Sequence, residues 1–167
     1  KVVRIVVKDD GNGKLYADKD ASNLASTVFT NKYAAGPDTA AIPVEKKLNI
    51  ISGNGPADIT GKFTFTLTAD ASNPEGATLP AVTTITNTTA EGGKNTFDAI
   101  TFTKPETFKF YVAESVTPGY EELVGGLSVD PTIVPVTIIV EDNGLCQLAA
   151  TAETYTVESP VTFTNDY

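Results

Sequence analysis

The chain has 167 residues, room for one β-sandwich domain and part of another, with no histidine, methionine or tryptophan and a formal charge of −9. Absent histidine excludes Ser-His-Asp and Cys-His catalysis and most zinc sites, and the acidic balance excludes a nucleic-acid face, which needs positive charge. Threonine and valine, set in many short alternating runs, make the composition all-β.

With no initiator methionine, a processed chain or an excerpt of a longer one is expected. No stretch reads as a signal peptide, a transmembrane span or a sortase-type sorting signal. Cys146 is the only cysteine, so it has no disulfide partner within the chain. It shares a strand phase with Leu148 and is expected as a small buried hydrophobe.

In chain order, Lys1 to Val7 reads as an apolar strand and Asp9-Asp10-Gly11-Asn12-Gly13 as a turn. The turn is acidic but lacks EF-hand spacing, so a plain hairpin turn is expected and no metal site. Val28-Phe29-Thr30-Asn31-Lys32-Tyr33 repeats the close of the chain, Val161 to Tyr167, almost letter for letter. Upstream, Ile5-Val6-Val7-Lys8-Asp9-Asp10-Gly11 echoes Ile138-Ile139-Val140-Glu141-Asp142-Asn143-Gly144. An internal repeat of this kind marks a tandem array. Residues 1–33 therefore read as the C-terminal strands of a preceding, incomplete domain of the same type. Two strands alone are marginal in water, so this tail needs a partner: a missing upstream segment, a second chain or the following domain.

Ala34 to Ile42 has the small, polar composition of a linker, and Pro43 opens a domain that runs to Tyr167. Strands are expected at Val44 to Leu48, Lys62 to Thr68 with Phe63, Phe65 and Leu67 inward, Ala81 to Thr88, and Asn95 to Thr103. Further strands are expected at Thr107 to Glu114, Thr132 to Val140, Leu145 to Thr154 and Val161 to Tyr167. Residues 51–61, 69–80 and 115–130 read as loops, the last with room for a short helix at Tyr120 to Leu123. Gly55 to Lys62 is one residue too long for a phosphate-binding loop, and Phe63 stands where a magnesium-binding hydroxyl would be needed.

Side chains alternate faces along a strand, and in three of these strands a polar residue interrupts the apolar face. Val44 and Leu48 share theirs with Lys46; Phe108, Phe110 and Val112 share theirs with Glu114; Val161, Phe163 and Tyr167 share theirs with Asn165. Lys47 and Asp166 have the opposite phase and are expected in solvent. Each of the three has an ordinary reading when taken singly: a snorkelling lysine, a strand-end carboxylate in water, an asparagine at a turn or edge. If all three face one core, burial sets them against each other, because each unpaired would cost several kcal/mol.

In an apolar site Lys46 is expected to lose its proton and Glu114 to keep one. A neutral amine is a nucleophile, and a protonated carboxylic acid can hydrogen-bond the Asn165 carbonyl and shuttle protons. Attack of Lys46 Nζ on Asn165 Cγ would expel ammonia and leave an amide between two side chains. Such a set reacts once with itself and offers no turnover site, so no enzyme and no cofactor are expected.

Six pieces occur in order: Val44-x-Lys46-x-Leu48, Gly61-Lys62-Phe63-Thr64-Phe65-Thr66-Leu67, Ile100-Thr101-Phe102, Phe108-x-Phe110-x-Val112-x-Glu114, Val136-Thr137-Ile138-Ile139-Val140 and Phe163-x-Asn165-x-Tyr167. Together they resemble the Gram-positive pilin isopeptide-linker family of the streptococcal backbone-pilin type, over about Ile42 to Tyr167. Two departures are Pro105-Glu106-Thr107 where glycine is common before the aromatic strand, and Val129-Asp130 where Tyr-Asp is frequent.

The resemblance implies an immunoglobulin-like β-sandwich whose first and last strands are joined by a Lys46–Asn165 isopeptide bond, with Glu114 as catalyst. Asn31 would be the acceptor of the incomplete upstream domain. The implied function is structural: a force-bearing module of a pilus or adhesin stalk on the cell wall of a Gram-positive bacterium, with neighbouring pilin or stalk domains as partners. The alternative is an adhesin domain that binds a host protein or glycan through residues 69–80 and 115–130.

Overall fold

The computed structural model describes residues 2–23, 29–55, 58–88, 93–120 and 129–167. They divide into two compact units, Lys1–Tyr33 and Ala34–Tyr167. No helix occurs among the described residues, and the short helix expected at Tyr120 to Leu123 lies outside them except for Tyr120.

The first unit is a hairpin of β1 (Val6–Asp9) and β2 (Leu15–Asp18), paired from Val6↔Asp18 to Asp9↔Leu15. The acidic turn is the expected hairpin turn, with the Asp9 carboxylate accepting from Gly11 N at 2.8 Å and that of Asp10 from Asn12 N at 2.8 Å. The strand is shorter than the apolar run Lys1 to Val7 suggests. Its partner is Leu15–Asp18; residues 29–33 form no strand, and Val28 lies outside the described residues. Val2, Ile5, Val7, Leu15, Tyr16, Phe29 and Tyr33 are all exposed, so this unit has no core of its own among the described residues.

The second unit is an all-β, immunoglobulin-like sandwich. Its strands are β3 (Asp38–Ala40), β4 (Pro43–Asn49), β5 (Phe63–Ala69), β6 (Ala77–Thr78), β7 (Thr84–Thr86), β8 (Asn95–Thr96), β9 (Ile100–Phe102), β10 (Thr107–Val116), β11 (Ile133–Asp142), β12 (Leu148–Ala152) and β13 (Val161–Asp166). One sheet has the order β12-β11-β10-β5-β7; facing it are β13-β4-β8 and β3-β9-β6. A single apolar cluster draws on all three sheets, from Val44 and Phe163 through Phe65, Phe108 and Phe110 to Val136, Ile138 and Phe102. Phe65 stacks on Phe163 with ring centroids 5.6 Å apart, and Phe102 meets Phe108 at 5.1 Å, so aromatic contacts join the layers. Alternation set this core: Phe63, Phe65 and Leu67 are buried on β5, and Phe108, Phe110 and Val112 on β10.

The segment expected as a linker is built into the sandwich instead. Asp38–Ala40 pairs with Ile100–Phe102, Gly36 bridges Gln147, the Asp38 carboxylate accepts from Ala150 N at 2.8 Å, and Ile42 is 1% exposed. A three-residue strand of small residues is too short to show an alternation, which is why its composition reads as a linker. The run Asn95 to Thr103 is not one strand either. β8 pairs with β4 and β9 with β3 and β6, so the chain changes sheets between them, with Phe97 buried at the crossing. The strand expected at Ala81 to Thr88 shrinks to Thr84–Thr86, and the loop 69–80 contains β6.

Cys146 is exposed, contrary to its expected burial, because the chain turns before β12 begins at Leu148. This turn copies the one in the first unit. Gly144 N donates to the Asp142 carboxylate at 2.8 Å and Leu145 N to the Asn143 side chain at 2.7 Å, and Asp142 pairs with Leu148 as Asp9 pairs with Leu15. The fifth turn residue is left-handed in both copies: Gly13 at φ 84° and Cys146 at φ 65°. A left-handed residue other than glycine costs about 1–2 kcal/mol, against about 0.5–1 kcal/mol for the extra freedom of an unfolded glycine. Cys146→Gly is therefore expected to stabilise the sandwich by about 0.5–1 kcal/mol, read as a higher guanidinium midpoint at unchanged slope.

Candidate functional site

The site lies where β4 and β13 run side by side in parallel, from Val161↔Val44 to Asp166↔Asn49. Both strands begin with apolar residues that lock into the core, Val44 and Val161 each being fully buried. Their register is also held on the opposite face, where the Thr162 hydroxyl lies 3.4 Å from the Glu45 carboxylate and Asn49 Nδ2 donates to the Asp166 carboxylate at 2.9 Å. Phe163 sits opposite Lys46 and Asn165 opposite Leu48, so Lys46 and Asn165 are diagonal neighbours on the inward face. Lys47 and Asp166 are exposed, as their phase requires.

Across the core, β10 carries Glu114 at the end of the row Phe108, Phe110, Val112, paired with Phe65 of β5. The structure brings Lys46 and Glu114 into contact. Nζ lies 2.9 Å from Glu114 Oε1 and 3.2 Å from Oε2, and both side chains are wholly shielded from solvent. Nζ also donates to the Phe163 carbonyl at 3.3 Å and stands 4.6 Å from the Phe63 ring centroid. Gly93, left-handed at φ 91°, closes the strand over: a Cβ there would lie 3.1 Å from the Lys46 carbonyl oxygen.

Burial governs the charges. It pulls the Lys46 amine below its ordinary value of 10.5, with the hydrogen bond and negative charge of Glu114 pulling the other way. It likewise pushes the Glu114 carboxyl above its ordinary 4.5 against the hydrogen bond and positive charge of Lys46. Both shifts favour the uncharged pair, an amine beside a carboxylic acid.

Asn165 is completely buried. Its Oδ1 accepts from the backbone N–H of Asp130 at 2.8 Å. Its amide also eases the Glu114 carboxyl downward, although Nδ2 closes no hydrogen bond of normal geometry among the described residues. Asn31, the acceptor expected for an incomplete upstream domain, is exposed. Sequence reading missed three supporting residues: Phe63 as the ring under the amine, Gly93 as the close-packed cover, and Asp130 as the donor to Asn165. Only Asp130 left a trace, an Asp-x-Thr turn signature directly ahead of a long apolar strand.

A buried amine, a buried carboxyl and a buried carboxamide on the facing walls of a β-sandwich define a class of self-contained, solvent-excluded polar site. The family model FctA, the Spy0128-like isopeptide containing domain, matches residues 42–167, and the chain belongs to that family. Among solved structures it is similar to the major pilin protein (T-13) from Streptococcus pyogenes serotype GAS131465. That likeness has 19% identity and a TM-score of 0.45, and covers 80% of this chain and 54% of that one. The chain thus spans about half the length of that pilin. No curated protein matches it.

Removing the amine isolates the carboxyl. In Lys46→Ala, the folded state holds the Glu114 proton above pH 4.5, where the unfolded chain has released it. The folded state then binds more protons than the unfolded one, so stability falls as pH rises, at up to about 1.4 kcal/mol per unit until the raised pKa is passed. Lys46→Ala/Glu114→Gln is expected to lack this slope, and urea midpoints of the two variants between pH 4.5 and 8 make the comparison.

Proposed function

We propose that the second unit is a force-bearing structural module of a surface pilus or adhesin stalk, stabilised by an autocatalytic isopeptide bond between Lys46 and Asn165 with Glu114 as proton shuttle. The observation that carries this reading is the buried Lys46–Glu114 pair at 2.9 Å, beside a buried asparagine on the strand parallel to that of the lysine. In the uncharged pair the Nζ lone pair attacks Asn165 Cγ. The amine proton passes through Glu114 to Nδ2, the Cγ–Nδ2 bond breaks, and ammonia leaves. Family membership supports the assignment, and the six ordered sequence pieces fall on β4, β5, β9, β10, β11 and β13 or directly beside them.

The mechanical consequence follows from topology. β4 is the parallel neighbour of β13, so a pull on the N-terminal side of one and the C-terminal side of the other shears the pair lengthwise. A covalent tie between them carries that load directly and leaves the chain from β5 to β12 unstretched. By analogy with a disulfide closing a loop on the order of 100 residues, it also restricts the unfolded chain by about 4–5 kcal/mol. Extracellular display on a Gram-positive cell wall, with other pilin or stalk domains as neighbours, fits this role.

The first unit is the tail of a preceding domain of the same type. Its hairpin has the register and turn of the β11–β12 hairpin, and the Phe-Thr-Asn-x-Tyr of β13 recurs at Phe29 to Tyr33. Its exposed apolar residues are the side chains that the rest of such a sandwich would cover. Asn31 is that domain's acceptor.

Intact mass tests the first proposal. The purified chain is expected to weigh one ammonia less than its sequence, with tandem fragmentation locating a branched peptide between the Lys46 and Asn165 regions. Glu114→Ala is expected to be folded at full mass. A fully linked Glu114→Ala would remove Glu114 from the reaction, and a full-mass parent would sink the bond. For the first unit, a chain that includes the segment encoded ahead of Lys1 is expected to lose a second ammonia with its branch at Asn31. A branch at any other residue contradicts that assignment.

A further inference from the structure

We infer that the backbone N–H of Asp130 is the oxyanion donor of the linking step, and that the Asp130 carboxylate is the clamp that aims it. This inference rests on the Lys46–Asn165 reading above. When Nζ attacks Cγ, negative charge develops on Asn165 Oδ1. Among the described residues that oxygen has one donor placed on it, the Asp130 N–H at 2.8 Å, inside the 2.7–3.1 Å range in which such donors act. The donor also fixes which way the carboxamide points, because a backbone N–H can face the oxygen but not the –NH₂ group. Oδ1 is thereby committed to Asp130, and Nδ2 is left without a hydrogen bond among the described residues. The leaving nitrogen is then available to the proton that Glu114 delivers.

The clamp is built from short-range contacts. The Asp130 carboxylate accepts from Thr132 N at 2.9 Å, and the Thr132 side chain and the backbone N–H of Thr164 help hold it below its ordinary value of 3.8. Thr164 directly precedes the acceptor on β13. Asp130 therefore meets β13 at successive residues, its N–H bonded to Asn165 and its carboxylate stabilised by the N–H of Thr164. Asn165 is fully buried, so a donor fixed there acts in a low-dielectric site and needs no reorganisation as charge appears.

Kinetics separate this role from simple packing. The full chain, isolated unlinked under denaturing conditions and refolded by dilution, is followed by intact mass as ammonia is lost. Replacing the residue-130 amide by an ester through semisynthesis keeps the side chain and deletes only the N–H. The linking rate of this analogue is expected to fall by on the order of 10²–10³ with folding unchanged by circular dichroism. Asp130→Ala, which keeps the N–H but removes the clamp, is expected to slow linking roughly tenfold. Asp130→Asn, whose side-chain oxygen can still accept from Thr132 and Thr164, is expected to restore most of the rate. An ester analogue that links at the parental rate overturns the inference. If the ester does not fold, Asp130→Ala linking as fast as the parent does so equally. A parent that refolds yet keeps its full mass overturns both this inference and the bond itself.

Discussion

The structure depends on an amine and a carboxyl held 2.9 Å apart with no access to water. As a source of stability this is a poor arrangement. Desolvating two charges costs several kcal/mol per ion, and their attraction often does no more than offset it; well-packed apolar residues commonly do better. An apolar core of phenylalanine, valine, isoleucine and leucine has no packing reason to include them. Much of the surrounding construction serves to keep the pair in place. The parallel register of β4 and β13 is pinned on both faces, the Phe63 ring lies near the amine, and Gly93 lets the chain close over the lysine backbone.

The pair and its asparagine were legible in the sequence because strand periodicity is rigid. A period of two puts Lys46 with Val44, Glu114 with Val112 and Asn165 with Phe163, and a slip of one residue would have exposed an entire apolar row. The same rule located the cores of β5 and β10. It failed where a strand is too short to show a period, at Asp38–Ala40, and where the chain changes sheets in mid-run, at Phe97. It also misassigned Cys146, since parity holds only inside a strand and that residue belongs to the turn before one. Asp130 was out of reach for a different reason. Its contact with Asn165 is made by the backbone, and a backbone donor carries no residue type to recognise.

The two hairpins show how much of a repeat is physical and how much is spelling. Asp9-Asp10-Gly11-Asn12-Gly13 and Asp142-Asn143-Gly144-Leu145-Cys146 share only their first and third residues, yet they close the same turn. What both retain is a side-chain acceptor at the first two positions, a left-handed glycine at the third and a left-handed residue at the fifth. The flanking strands differ in circumstance more than in sequence. Val140 and Leu148 are buried under the opposing sheets, whereas Val7 and Leu15, at the matching positions, stand exposed. The hairpin is thus dictated locally by turn chemistry, and the sandwich supplies burial afterwards.

The linking reaction proposed for this site has a simple thermodynamic sense. Before linkage the fold holds an amine and a carboxyl whose ionised forms burial disfavours, with Lys46 pulled down and Glu114 pushed up. After the proposed linkage the amine would be part of a neutral amide, and Glu114, with no cation beside it, would be a neutral acid in an apolar wall. The desolvation that opposes folding would be relieved by that reaction, and the released ammonia would be diluted into solvent. Folding must therefore precede chemistry, because an unfolded lysine is protonated and has no asparagine aligned with it. The completed bond would in turn remove the arrangement least favourable to the folded state. In the proposed reaction, mechanical strength and the removal of a costly buried pair would then be two results of one step.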